Sequence, residues 1–320
     1  MSINTLVGRF GGFAGVSSEF YLGAATYSSN TTINVPPVAR FAVFKIFGGR
    51  GSTAFGNSRT DGGYTAIKLD LSGGETLYAT VNGSRTSTFI DAGSDYGGGY
   101  SAISTSPLAP GNPEATTIGY IIGLSGGSGG HQPQSFFEAG GDAGFPAGAN
   151  GQPPSFTGNG GTQFGGGAGG GNNYPPGGPG PGPGSYDGTP GGFLAAGRGG
   201  FGGNVPSSGS GGGGGAGLYG GGGGGALADN GGRGYQGGGG SNYIAPSHPL
   251  ISAISNSAFS QTYGYDTSDP DYPNALTYIS PAGSVSPTET GGVIFAKFFT
   301  APTTNYDSPE YSLSTPLVEI

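Results

Sequence analysis

A block of 118 residues, from Gly123 to Gly240, holds 52 of the 76 glycines in this 320-residue chain. Glycine loses more backbone entropy on folding than any other residue and brings no side chain to a core. Such a block is either a flexible linker or a structure whose backbone packs against itself where a Cβ atom could not fit. Strict collagen is excluded, because Gly177–Gly184 breaks the every-third-residue rule.

Three features favour order. The block carries only six charges (Glu138, Asp142, Asp187, Arg198, Asp229 and Arg233), too few to keep a long linker solvated by charge. Rings and leucines are spread through it, among them Phe156, Phe164, Phe193, Leu194, Phe201, Leu218, Tyr219 and Tyr235. Segments with β periodicity flank it on both sides. The ordered form open to such a chain is a bundle of polyglycine II helices. A helix of this kind has three residues per turn and no internal hydrogen bonds. Its N–H and C=O groups point outward and must be paired when buried. Without Cβ atoms, neighbouring helices can come close enough to pair with one another. Dense runs at 165–171, 197–203, 211–224 and 231–240 would form the lattice, with Gly165, Gly213, Gly222 and Gly238 as scaffold positions. The richer stretches between them would be connections.

Composition narrows the function. Ten Lys and Arg against 18 Asp and Glu give a net charge of −8, the wrong sign for a phosphate-binding surface, so no nucleic acid partner is expected. The absence of cysteine rules out disulfides, thiolate metal sites and a thiol nucleophile. The segment after Met1 lacks the basic and apolar regions of a signal peptide, and no apolar run is long enough to span a bilayer. Synthesis in a cytoplasm without membrane insertion is the expectation.

Outside the block the reading is β. Residues 1–39 read as short strands and turns, and Arg40–Phe47 has strand length. Tyr64–Leu71 alternates Ile67, Leu69 and Leu71 against Lys68 and Asp70, the period of a half-buried strand. With the turn Ser72–Glu75 and the alternating Thr76–Gly83, it predicts a hairpin. Residues 84–115 read as an irregular loop, and 116–130 as a strand entering the Gly block. Ser241–Ser255 and Asn274–Ser280 predict short strands, Gly291–Phe299 a stronger one, and 300–320 an extended or loosely docked tail. The expected fold is thus all-β with a polyglycine II helix bundle: an antiparallel β module encloses a layered Gly-rich sandwich, with almost no α-helix. Its expected divisions are an N-terminal β or attachment segment (1–39), a β module (40–122), the bundle with exposed loops (123–240), C-terminal strands completing the module (241–299) and the tail (300–320).

Chemistry-bearing motifs are scarce. GxGxxG spacings arise by chance in so much glycine. Gly48–Thr53 resembles a phosphate loop but lacks its lysine and its following helix. His131 and His248 read as loop histidines, and no nucleophile elbow is present. The acidic clusters Asp91–Asp95 and Asp266–Asp271 match no calcium-loop spacing and read as solvated turns. No enzyme activity, cofactor or metal is expected.

An ordered series of segments carries a resemblance: RFAVFKIFGGRGS, GGYTAIKLDLSGGETLYATVNG, YIIGLSGGSGG, the run from AGRGGFGGN to GGGGSNYI, and GGVIFAKFF. Over roughly Arg40–Phe299 this resembles the glycine-rich domain of phage tail-fibre proteins. It is also similar to the glycine-rich ectodomain region of anaplastic lymphoma kinase-type receptors, which carry cysteines, a signal peptide and a membrane span. The resemblance implies a β module with a layered polyglycine II bundle. The distal adhesins of T-even-like phage fibres also use such a bundle, and their inter-strip loops meet the host receptor. Here the Gly block is central and some 80 ordinary residues follow it, so their attachment layout does not carry over.

The implied function is a virion tail-fibre or tail-tip adhesin, extracellular when it acts. It would bind a host glycan or outer-membrane protein and assemble with other virion subunits. The alternative is a purely structural virion or matrix component. Rings beside amides and acids mark the candidate binding residues Phe136, Phe137, Phe145, Tyr174, Tyr186 and Asp187. The competing reading makes those rings a hydrophobic cap on the bundle.

Overall fold

The computed structural model describes residues 20–51, 60–83, 97–108, 114–130, 140–152, 156–171, 187–197, 199, 211–225, 234–250, 267–275, 278 and 291–317. Nine strands and two short helices occur among them, in the order β1 (Tyr21–Tyr27), β2 (Thr31–Asn34), β3 (Phe41–Phe47), β4 (Tyr64–Asp70), β5 (Thr76–Gly83), β6 (Tyr100–Ser104), α1 (Glu114–Ile118), β7 (Ile121–Ser125), β8 (Tyr243–Ile244), α2 (Tyr272–Ala275) and β9 (Val293–Phe299). The fold is mostly antiparallel β with almost no helix.

Two sheets form, in the orders β1-β9-β3-β4 and β2-β5-β6-β7-β8. Alternation along the strands divides their faces. In β3 and β9, Ala42, Phe44, Ile46, Ile294, Ala296 and Phe298 point into a core shared with Leu77, Ala79, Ile103 and Ile122 of the second sheet. The intervening residues Phe41, Val43, Phe47, Val293, Phe295 and Phe299 form the outer face of the first sheet. The tail packs on that face: Tyr311 is buried there, and Tyr21 Oη donates to Ser312 O at 2.8 Å.

Several sequence expectations are corrected. The hairpin is absent, because β4 pairs with β3 whereas β5 pairs with β2 and β6 in the other sheet. Period-two alternation marks a half-buried strand without naming its partner, and here Leu69 and Leu77 face the same core from opposite sides. The turn between them is real: Gly73 and Gly74 have φ of 89° and 81°, and the Glu75 carboxylate accepts the Ser72 and Gly73 N–H groups. The supposed loop at 84–115 contains β6, and 116–130 begins in α1 before becoming β7. At 274–280 the strand reading meets the end of α2 instead.

The Gly-rich strips grow directly out of the strands. Strip 48–51 continues β3, 60–63 leads into β4, 97–99 into β6, 126–130 continues β7, and 234–242 leads into β8. The lattice therefore includes glycines well outside 123–240. A small apolar seam of Leu194, Ala196, Ala216 and Leu218 packs it against Tyr100, Ala102, Ile121 and Leu124 of the second sheet.

Backbone hydrogen bonds hold the strips together in a rotating pattern. The N–H groups of Gly220, Gly221 and Gly222 donate to Gly192, Gly215 and Asn159 in turn. Those of Gly223, Gly224 and Gly225 then return to the same three strips at Thr189, Gly212 and Phe156, with N···O distances of 2.8–3.1 Å for the six. Tyr235, Gly238 and Ser241 likewise step along one neighbour at Gly225, Gly222 and Tyr219, while Gly237 and Gly240 donate to Gly130 and Gly127 of another. Each strip meets a given neighbour every third residue. Among the described glycines, φ enters the left-handed region only at Gly23, Gly73 and Gly74. The lattice glycines are required by proximity, because a Cβ at Gly97, Gly188 or Gly221 would strike a neighbouring carbonyl.

Candidate functional site

The chain direction of the strips sorts their connections between two ends. Near the second sheet the turns are short: Phe145–Pro146 leads to the Ala147–Thr162 bridge, Thr162–Gly165 closes on a hydrogen bond, and Phe193–Leu194 follows Gly192. The opposite end is knit by Gly130 to Gly213, Gly170 to Gly223, Gly188 to Gly170, Gly212 to Tyr235, Tyr235 to Gly225 and Gly225 to Phe156. The Thr60 hydroxyl donates to Gly129 O there, and Gly51 N to Ser128 Oγ. The chain reaches this far end at 51, 130, 151, 171, 199 and 225 and returns from it at 60, 140, 157, 188, 211 and 234. All the longer inter-strip connections begin and end on it.

The candidate binding residues divide accordingly. Phe136, Phe137, Tyr174 and Tyr186 lie outside the described residues, in segments whose described flanks belong to the far end. Asp187 is exposed on one of those flanks. Phe145, 42% exposed, sits at the opposite end from Asp187. The rings of Phe156 and Tyr235 pack 5.3 Å apart, tilted by 40°, beside the far-end bonds. Among the scaffold positions, Gly238 donates to Gly222, and Gly213 accepts from Gly130 at 2.7 Å. Gly165 instead occupies a near-end turn, where a Cβ would meet nothing within 4 Å. Beside it stands Phe164, 94% exposed, which the sequence marks only as one of the rings that favour order.

A charged constellation was also missed. Lys45 and Lys297 interrupt the apolar outer face of β3 and β9, yet they are 2% and 3% exposed. Lys45 Nζ lies 2.8 Å from Asp269 Oδ1, 2.7 Å from Asp271 Oδ2 and 2.5 Å from Asp307 Oδ1. Lys297 Nζ lies 2.9 Å from Asp271 Oδ2. The Tyr64 hydroxyl donates to Asp269 Oδ2, and the Asp271 N–H donates to Asp269 Oδ1 at 2.8 Å. Burial pulls the Lys45 ammonium toward the neutral form, but Asp269 and Asp271 outweigh it and hold its pKa above the ordinary lysine value. The cluster at 266–271 is therefore no solvated turn where it is described. Asp269 and Asp271 are buried counter-charges for the two lysines. The signal available in the sequence was one lysine in each of two otherwise apolar strands, FAVFKIF and VIFAKFF.

A separate ionisable group ties three of the strips together. Asp142 Oδ1 accepts the Asp61 N–H at 2.8 Å, and Arg50 Nη2 pairs with Asp61 Oδ1 at 2.8 Å. Burial pushes the Asp142 carboxyl up to about 6. A raised folded-state pKa means that the native chain takes up this proton before the unfolded chain does. Stability is then gained as pH falls through about 6 and the gain is complete below the ordinary carboxylate range. Lowering the pH from about 7 to about 5 should raise the unfolding free energy by roughly 1–2 kcal/mol through this group. Asp142→Asn should remove that increment, as read from urea midpoints at the two pH values.

Among the described residues, no group of three or more His, Cys, Asp or Glu is arranged to hold a metal ion, and no helix is long and apolar enough to cross a membrane. His248 is half-buried and its Nδ1 accepts the Leu250 N–H; His131 lies outside the described residues. No protein-family model matches the chain, and comparison with curated proteins finds no match.

Proposed function

We propose that the strips form a polyglycine II bundle and that the chain is a phage tail-fibre or tail-tip adhesin. It would bind a glycan or outer-membrane protein on the host surface without enzymatic chemistry. The observation that carries this reading is the common end on which the longer inter-strip connections begin and finish. Strip-to-strip bonding supports the bundle, because the three-residue rotation of donors matches a helix of three residues per turn. A lattice held by main-chain bonds lets the connecting segments vary in sequence without disturbing a side-chain core. Their described flanks, by contrast, are fixed by those bonds at one end of the strips.

Purified, labelled protein is expected to adsorb to bacterial cells that the phage infects and to reduce infection in competition. Replacing 131–139 and 172–186 by Gly-Ser spacers of equal length should abolish adsorption and leave the melting curve in place. Adsorption that survives both replacements, or none to any susceptible cell, would remove the adhesin reading. Slow amide exchange across 211–225 and 234–240 is the matching expectation for the bundle.

A further inference from the structure

We propose that Lys45 and Asp269 are the site of an intramolecular amide cross-link, formed by condensation of the Lys45 side-chain nitrogen with the Asp269 carboxyl. The geometry supplies each participant in such a reaction. The nucleophilic nitrogen lies 2.8 Å from Asp269 Oδ1. Two donors hold the carboxyl from both sides, the Tyr64 hydroxyl on Oδ2 and the Asp271 N–H on Oδ1. A second carboxylate, Asp271, lies 2.7 Å from the same nitrogen and can take its proton. Lys297 stands 2.9 Å from Asp271 and holds that carboxylate in place. The group is walled by Phe47, Tyr272 and Phe295, and Phe47 packs on Tyr64 at 4.9 Å between ring centres.

The step balances without any co-reactant. The ammonium of Lys45 passes one proton to Asp269 Oδ1 within their ion pair, which leaves a free amine beside a neutral carboxylic acid. The free amine attacks Asp269 Cγ, and the N–C bond forms. Negative charge gathers on Oδ2, where the Tyr64 hydroxyl receives it, as donors do at a developing oxyanion. Asp271 takes a second proton from the nitrogen and delivers it to the Oδ1 hydroxyl, and the C–Oδ1 bond breaks to release water. The nitrogen keeps its third proton as the amide N–H. One ammonium and one carboxylate become one amide and one water, Asp271 ends as it began, and nothing is oxidised or reduced. Burial keeps bulk water from the product, and the fixed contact replaces a bimolecular encounter. The bond would join the central strand β3 to the segment that covers its outer face, closing a covalent loop from 45 to 269.

The test is the mass of the intact, natively folded protein, measured under denaturing conditions after prolonged storage. It is expected to be one water below the sequence mass. Trypsin should then leave Phe41–Arg50, uncut at Lys45, branched to the peptide Gly234–Lys297. Lys45→Arg should have its full sequence mass. Asp269→Asn should lose ammonia and reach the same final mass as the cross-linked wild type. A wild-type chain of full sequence mass, cleaved normally after Lys45, overturns the proposal even if neither variant folds. So does a missing water that maps to any other pair. Neither outcome depends on whether the chain binds a host surface.

Discussion

Gly222→Ala and Gly238→Ala are each expected to destabilise the chain by about 3 kcal/mol or more, or to prevent soluble folding outright. At Gly222 a Cβ would sit within 3.0 Å of the Ala168 carbonyl and the Gly169 nitrogen, and at Gly238 it would meet the Asn159 carbonyl and the Gly160 nitrogen in the same way. These obstacles are main-chain atoms already committed to the lattice, so no side chain can swing aside. Both residues also donate in the rotation, Gly222 to Asn159 and Gly238 to Gly222, so pushing the strips apart breaks hydrogen bonds as well as contacts. Gly165→Ala supplies the comparison. It adds the same methyl group where nothing lies within 4 Å, and its effect should stay within about 0.5 kcal/mol. Urea or thermal unfolding of the three variants measures the difference. Equal, small losses in all three would mean that the strips do not approach as described.

Lys45→Met should have an effect of similar size for a different reason. Measured against freshly folded protein that still has its full sequence mass, methionine fills the space but leaves Asp269 and Asp271 buried without the ammonium that both contact. Breaking a buried pair from one side costs about 3–5 kcal/mol, because the orphaned charge stays out of water. Asp307 is a weaker member, since its side chain is 39% exposed and solvent can replace the contact. Asp307→Asn should therefore shift the denaturant midpoint only slightly, by the order of 1 kcal/mol or less. A Lys45→Met loss no larger than that of Asp307→Asn would show that the three carboxylates are not held by Lys45.

The β character of the flanks was legible because alternation is a local signal. Tyr64–Asp70 and Val293–Phe299 are strands where the pattern placed them. Pairing was not legible. The tight turn at 72–75 looks the same whether it joins two strands of one sheet or carries the chain across to another. The short strand β6 was hidden in a Ser- and Gly-rich stretch, and its burial comes from neighbours far away in sequence, Leu194 and Leu218. Charge misled in the opposite direction. Asp269 and Asp271 have the composition of a surface turn, and only the two strand lysines, more than 20 residues away at the nearest, make them interior groups. The candidate binding residues were chosen by local texture, a ring beside polar neighbours. That texture says nothing about which end of a strip a loop leaves, which is why Phe145 and Asp187 fall at opposite ends.

The rotating bonds give each strip a reading frame. Gly220 and Gly223 serve one neighbour, Gly221 and Gly224 a second, Gly222 and Gly225 a third. One residue added inside such a strip turns every later donor toward the wrong partner, whereas three added together return it to phase. Strip length is thus quantised, but the segments joining the strips are free of that arithmetic. A lineage of such proteins can lengthen, shorten or exchange the joining segments one residue at a time, and must alter the strips in threes.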